Sequence, residues 1–373
     1  MLTTPLIERL AARGPVHVVA TPANAALLVG HPAVASVIVF DKRGADRGVG
    51  GVRRVAAALR QTGATTAYMA QGSLRTAALA RLAGIPVRVG FSTSPGRVLY
   101  TQRVPFDATL HHAQRLWSLA SAPHAAAPHE TAPHETAPHG ATPKVRPSLF
   151  PSVADYAKAD ALLSSGPSGT RVHNDATSAS GPRVRTVVFA PGSVWATKRW
   201  PAFDALGVEL LQRAAQQWPH DRVRLVIIGA AGDAPLAASI IRAVHAADTA
   251  TPHGRTMEVI DATGNLSLLG SAALLARADA LVTNDSAPLH LASAMNTPTV
   301  ALFGPTVPAF GFGPLADAQA VVQREGLACR PCHAHGPQQC PLTHWDCMRQ
   351  VTPTHVADVL ARTDLLGSSG RRR

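Results

Sequence analysis

Residues 280–295 read ALVTNDSAPLHLASAM. Ala280 to Thr283 is a short apolar strand, Asn284-Asp285-Ser286 a polar turn, and Pro288 to Met295 an apolar helix. Proline suits a first helical turn, where its missing N–H would have had no partner. Asp285 or Ser286 can cap the helix. The free N–H groups at such a terminus favour a phosphate, and His290, near the helix start, can lean its ring toward the same crevice. An ordinary capped helix with a buried histidine accounts for the stretch equally well.

Working outward, the same strand–turn–helix rhythm fills residues 184–362. Strands are expected at Thr186–Ala190, Arg224–Ile228, Met257–Asp261 and Thr299–Phe303. Helices are expected at Phe203–Gln217, Pro235–His245 and Ser267–Ala276. Residues 1–121 repeat it, with strands at Val16–Ala20, Val37–Phe40, Thr65–Ala70 and Val87–Phe91 and helices at Val52–Gln61 and Leu74–Leu82. Such alternation implies βαβ units and parallel sheets, hence an α/β fold with two Rossmann-like domains. Between them Pro-His recurs every five residues from Pro123 to His139. We expect a disordered linker over 122–147, a helix over 148–163 and a Gly/Ser-rich insert over 164–183. The last residues, 363–373, read as a disordered tail. In such folds ligands bind beyond the carboxyl ends of the strands.

Composition narrows the partners. The 373-residue chain has a formal net charge of +12 and 46% hydrophobic residues. Its basic residues are dispersed and aromatics are scarce, with none of the aromatic–basic interleaving of single-strand binders, so nucleic acid is not expected. An anionic substrate or an anionic membrane face suits the charge. No apolar run reaches membrane-spanning length and the N-terminus lacks a signal-peptide pattern, so the expectation is a cytoplasmic protein, peripheral to a membrane at most.

Two further clusters follow strands. In Pro191-Gly192-Ser193-Val194-Trp195-Ala196-Thr197-Lys198-Arg199-Trp200-Pro201, Ser193 and Thr197 offer hydroxyls and Lys198 a point charge for a phosphate. Phe303-Gly304-Pro305-Thr306, with Pro308 and Phe310-Gly311-Phe312-Gly313-Pro314, makes a rigid loop that lets backbone approach a ligand. A separate stretch holds all four cysteines: Cys329, Cys332, Cys340 and Cys347, with His333, His335 and His344 among them. The Cys-x-x-Cys pair is half of a tetrahedral zinc site that Cys340 and Cys347 could complete. An unmetallated packed loop and a redox pair remain open alternatives.

The three clusters after strands resemble glycosyltransferase family 9, the ADP-heptose:lipopolysaccharide heptosyltransferases, heptosyltransferase II in particular. Weaker likenesses lie at Leu2-Thr3-Thr4-Pro5-Leu6, His31-Pro32 and Ser73-Leu74-Arg75. The resemblance implies a GT-B fold, with two Rossmann-like domains facing across a cleft. It implies inverting, metal-independent transfer of heptose from ADP-heptose to the anionic lipopolysaccharide inner core at the inner membrane face, with no cofactor required beyond a possible structural zinc. Carried over by position, Ser193 and Lys198 would meet the donor diphosphate, with Thr197 also on the donor side. Asp285, Ser286, Ala287 and His290 would surround sugar and diphosphate. Asp233 and Leu266 would border the adenosine, and Ser73, Arg75 and Arg97 the acceptor. A leaving diphosphate needs charge neutralisation in place of a metal, and Lys198 with a helix N-terminus supplies it. Family members open with a strand and a Gly-Asp turn whose Asp is the expected base. Here Met1 falls just before the Thr-Pro-Leu helix, so the expectation is a true start upstream, with no catalytic base assigned within the chain. The alternative is a catalytically impaired nucleotide-sugar-binding protein.

Overall fold

The computed structural model describes residues 1–122, 145–164, 183–218, 221–249 and 257–362. Most of the expected Pro/His linker and Gly/Ser insert, and the whole C-terminal tail, lie outside the described residues. The chain divides into two compact units, 1–148 and 149–373.

The first unit runs α1 (Thr4–Ala11), β1 (His17–Ala20), α2 (Pro22–Ala26), β2 (Ser36–Val39), α3 (Val49–Gln61), β3 (Thr66–Tyr68), α4 (Leu74–Leu82), β4 (Val87–Phe91), β5 (Gln102–Val104) and α5 (His112–Ser118). Its strands form two separate parallel sheets, β1–β2 and β3–β4–β5. Val55, Ala56 and Leu59 of α3 and Ala77, Leu79 and Ala80 of α4 pack with Phe40, Met69 and Tyr100. Val55 with Leu59, Ala56 with Leu59, and Ala77 with Ala80 are three or four residues apart, so they share one inward face of each helix. Val145 and Pro147, expected within the linker, are buried, and Ser148 N donates to Thr4 Oγ1 at 2.8 Å. The chain is thereby packed against α1 where it leaves this unit.

The second unit begins with α6 (Val153–Ser164) and continues β6 (Val184–Ala190), α7 (Phe203–Gln217), β7 (Arg222–Ile227), α8 (Ala234–Thr249), β8 (Glu258–Asp261) and α9 (Leu268–Arg277). It then runs β9 (Ala280–Asn284), α10 (Ala287–Met295), β10 (Thr299–Phe303), β11 (Gln319–Gln323), α11 (Asp346–Arg349) and α12 (Pro353–Leu360). One parallel sheet has the order β11-β10-β9-β6-β7-β8. The chain lays β6, β7 and β8 outward in one direction, then returns to set β9, β10 and β11 on the other side of β6. The switch point therefore lies between β6 and β9. Every residue of β9 and β10 is buried, as are the last five of β6. This explains their continuous apolar runs: a parallel sheet covered on both faces shows no alternation. Phe189, Leu206, Leu225, Ile240 and Val282 centre the core beneath α7 and α8.

α10 ends at Asn296, which takes the left-handed conformation (φ 58°) that Asn tolerates. Its side chain exchanges hydrogen bonds with Asp317 N and Oδ2, both at 2.9 Å, and ties the helix end to the segment that leads into β11. Among the described residues no helix is long and apolar enough to cross a membrane.

Candidate functional site

The loops that leave β6, β9 and β10 meet beside the switch point, where an open parallel sheet presents its free carboxyl ends. Asn284, the fully buried last residue of β9, holds the first of them at both ends. Its Nδ2 donates to Pro191 O at 2.8 Å, and its Oδ1 accepts from Trp200 N at 3.1 Å. One side chain so fixes both ends of the 191–200 loop. Trp200 Nε1 in turn donates to Val351 O at 3.0 Å. The sequence reading gave Asn284 no role. A polar residue closing an all-apolar strand was the available signal, because a buried amide must find partners.

The middle of that loop carries Lys198. Its Nζ lies 2.6 Å from Asp285 Oδ2, and the same oxygen accepts from Thr306 Oγ1 at 2.7 Å. All three side chains are buried, and three loops are joined through one carboxylate. A buried charge persists only when it is paired and hydrogen-bonded. Beyond Asp285, Ser286 is the N-cap of α10 in extended geometry, but its side chain makes no capping bond. Its Oγ is buried without a protein partner, so a hydroxyl and the Ala287 N–H stand together at the helix start; Pro288 has no N–H, and Leu289 N donates to Ser286 O at 3.1 Å.

Ser193, Lys198, Asp285, Ser286, Ala287 and His290 line one pocket of about 340 Å³. Val194, Trp195, Val307, Phe310, Phe312, Ala334 and His335 complete its lining, and the His290 and Phe312 ring centroids are 6.3 Å apart. The last two lining residues come from the cysteine stretch, for which the sequence leaves a metal site, a packed loop and a redox pair open. A buried cation, an orphan hydroxyl, a helix N-terminus and an apolar rim make a receptor for an anionic group carried on a larger molecule.

Other expected positions fall elsewhere. Thr197 is buried beside the pocket, and its Oγ1 donates to Pro337 O. Asp233 occupies the short turn before α8, where Oδ2 accepts from Ala230 N at 2.9 Å and the carboxylate packs over Gly192. Leu266 precedes α9 and packs toward Gly270. In the first unit Ser73 caps α4, accepting from Thr76 N at 3.2 Å. Arg75 and Arg97 are exposed.

The four cysteines are free thiols, and among the described residues no group of three or more His, Cys, Asp or Glu is placed to hold a metal. Cys347 points into the core with Trp200, Met348 and Val351. Burial, together with the neighbouring thiols, pushes its pKa up to about 11. Burial raises that of Cys332 as well.

A sequence model of glycosyltransferase family 9 (heptosyltransferase) matches residues 52–345. Lipooligosaccharide heptosyltransferase 2 of Campylobacter jejuni is 37% identical over 84 residues, 22% of this chain and 25% of its own length. Lipopolysaccharide heptosyltransferase 1 of Pseudomonas aeruginosa is 33% identical over 147 residues, 39% of this chain and 36% of its own. The chain thus aligns with about a quarter to a third of these relatives' lengths. Among solved structures, the Escherichia coli ADP-heptose lipopolysaccharide heptosyltransferase II superposes with a TM-score of 0.66 at 24% identity. That match covers 99% of this chain and 96% of the other. The likeness is one of fold, the GT-B architecture of two α/β domains.

Proposed function

The chain belongs to glycosyltransferase family 9, and on that premise we propose that it moves heptose from ADP-heptose to the inner core of lipopolysaccharide with inversion at the anomeric carbon. The observation that carries this reading is the convergence of Ser193, Lys198, Asp285, Ser286 and His290 on one pocket at the switch point. The donor diphosphate sits against the start of α10, with Ser286 Oγ and the Ala287 N–H as donors. As the glycosidic bond to phosphate breaks, negative charge builds on the leaving diphosphate. Fixed dipoles and Lys198 stabilise that charge without having to reorganise. Asp233 and Leu266 flank the adenosine, beyond the pocket itself.

Charge supports an anionic acceptor. Residues 1–148 hold 16 Lys and Arg against 6 Asp and Glu, a formal +10 of the chain's +12, and no acidic residue occurs from Arg47 to Phe106. A basic unit of this kind attracts both a phosphorylated, carboxylated core and the anionic leaflet beneath it. Ser73, Arg75 and Arg97 are its acceptor-side candidates, and the protein works in the cytoplasm at the inner face of the inner membrane.

A second reading has its own observation. Asp285, the carboxylate lining the pocket, is committed to Lys198 and Thr306, so it is not free to take the acceptor's proton. Donor binding without transfer is the reading that follows. The deciding experiment incubates ADP-heptose with a defined inner-core acceptor and follows both product and calorimetric binding of ADP-heptose. Heptosylated product supports the transferase. Binding without product selects the second reading, and absence of both removes the two together.

A further inference from the structure

Residues 329–347 fold back onto the loops that form the pocket. Thr197 N donates to Pro337 O at 3.4 Å, and Thr197 Oγ1 donates to the same carbonyl. Ala196 N donates to Gln338 Oε1 at 3.1 Å, and Gln338 Nε2 donates to Val194 O at 3.0 Å. Toward β10, Cys332 N donates to Pro305 O at 3.1 Å, and Arg330 donates to the carbonyls of Gly304 and Thr306. The segment is thus fastened to the 191–200 loop on one side and to the loop after β10 on the other. Between these fastenings, Ala334 and His335 line the pocket. His335 N donates to His333 Nδ1 at 2.9 Å, and the His333 ring lies 6.4 Å from that of Trp195, itself a lining residue. The turn that presents His335 is therefore fixed from within the segment and from the pocket rim.

Charge indicates what this wall does. Lys198 faces Asp285 as well as the pocket, so it offsets only part of the charge of a ligand that carries more than one negative charge. Of the other pocket-lining side chains, the imidazoles of His290 and His335 can carry positive charge. A neutral imidazole still donates one N–H, and a protonated one donates two. His335 is exposed, so it can turn toward an incoming anion without breaking the backbone contacts that hold the segment.

We propose that the Cys/His-rich segment is the outer wall of the diphosphate site and that His335 donates an N–H from it to a phosphate oxygen. This rests on the donor reading above. It also gives the stretch a role that needs no metal: the segment shields the diphosphate from water and adds a donor that the strand-end loops lack.

The test titrates the full chain with inorganic pyrophosphate and with ADP, comparing wild type, His335→Ala and His335→Asn. Replacing the ring by a methyl should weaken both ligands roughly tenfold, the scale of one hydrogen bond to a charged group. His335→Asn keeps a side-chain N–H and should recover most of the loss, with an unchanged melting temperature in both variants. Wild-type pyrophosphate affinity in His335→Ala, or no recovery in His335→Asn, overturns the proposal. If wild type binds pyrophosphate but not ADP, the nucleotide reading falls, while a loss of pyrophosphate binding in His335→Ala still establishes the wall. If His335→Ala binds ADP as wild type does, the donor reading stands and the wall falls. Binding of neither ligand by wild type removes both.

Discussion

Lys198 Nζ stands 2.6 Å from Asp285 Oδ2, and the two residues, 87 apart in sequence, are each 8% exposed. A pair this buried is costly to break from one side, because the surviving charge is left without compensation. Lys198→Met should destabilise the chain by about 3–5 kcal/mol. The double variant Lys198→Met, Asp285→Leu should be more stable than either single variant and bind no ADP. Urea denaturation of the three proteins measures this. Simple addition of the two single losses would show that the pair is not coupled.

Asn284 bridges Pro191 O and Trp200 N. Asn284→Ala leaves a buried carbonyl and a buried N–H without partners, which should cost about 2 kcal/mol. The freed loop should also lower ADP affinity, since Ser193 and Lys198 ride on it. Reduced stability with undiminished ADP binding would mean that the loop is held elsewhere.

Gly192 lies under the Asp233 carboxylate, and a Cβ added there would collide with it. Gly192→Ala should therefore dislodge Asp233 from Ala230 N. If Asp233 borders the ribose, ADP should bind more weakly while inorganic pyrophosphate binds as before. Equal losses for both ligands would place the damage in the anion loop instead.

Cys347 titrates near 11 because it is buried beside other thiols. An unfolded thiol titrates near 8.5. Above that pH the unfolded chain has released a proton that the folded chain keeps. The contribution of Cys347 to stability is thus complete below about pH 8.5 and is lost as pH rises toward 11. Cys347→Ala should flatten that alkaline decline. At pH 8 iodoacetamide should modify the exposed Cys332 well before Cys347, as peptide mass spectrometry would show. Equal labelling of the two in the folded protein would contradict the burial of Cys347.

Much of the second unit was legible because buried parallel strands announce themselves. Thr186–Ala190, Ala280–Thr283 and Thr299–Phe303 are unbroken apolar runs, each closed by a polar or Gly/Pro turn, and each became β6, β9 or β10 with small shifts at the ends. Lys198, Asp285 and Ser286 stood out because each follows such a strand. The elements after residue 314 were not read. β11 is only half-buried along most of its length, and α11 has four residues, too few to show a period. His335 was missed for a different reason. Its cysteine neighbours suggested a zinc site, and nothing local reveals that Pro337 and Gln338 close on Thr197 and Ala196, some 140 residues away. Cys347 lies in the first turn of α11, whose packing places it in the core beside Trp200 and next to the other thiols.

Every side chain lining the pocket lies between Ser193 and His335, inside a single unit. If the pocket takes the donor as proposed, donor recognition is in this sense a cassette. On that reading, recombination or drift confined to residues 1–148 would change the acceptor while the nucleotide chemistry passes down unaltered, and new glycan branches would arise without reinventing the activated sugar that feeds them.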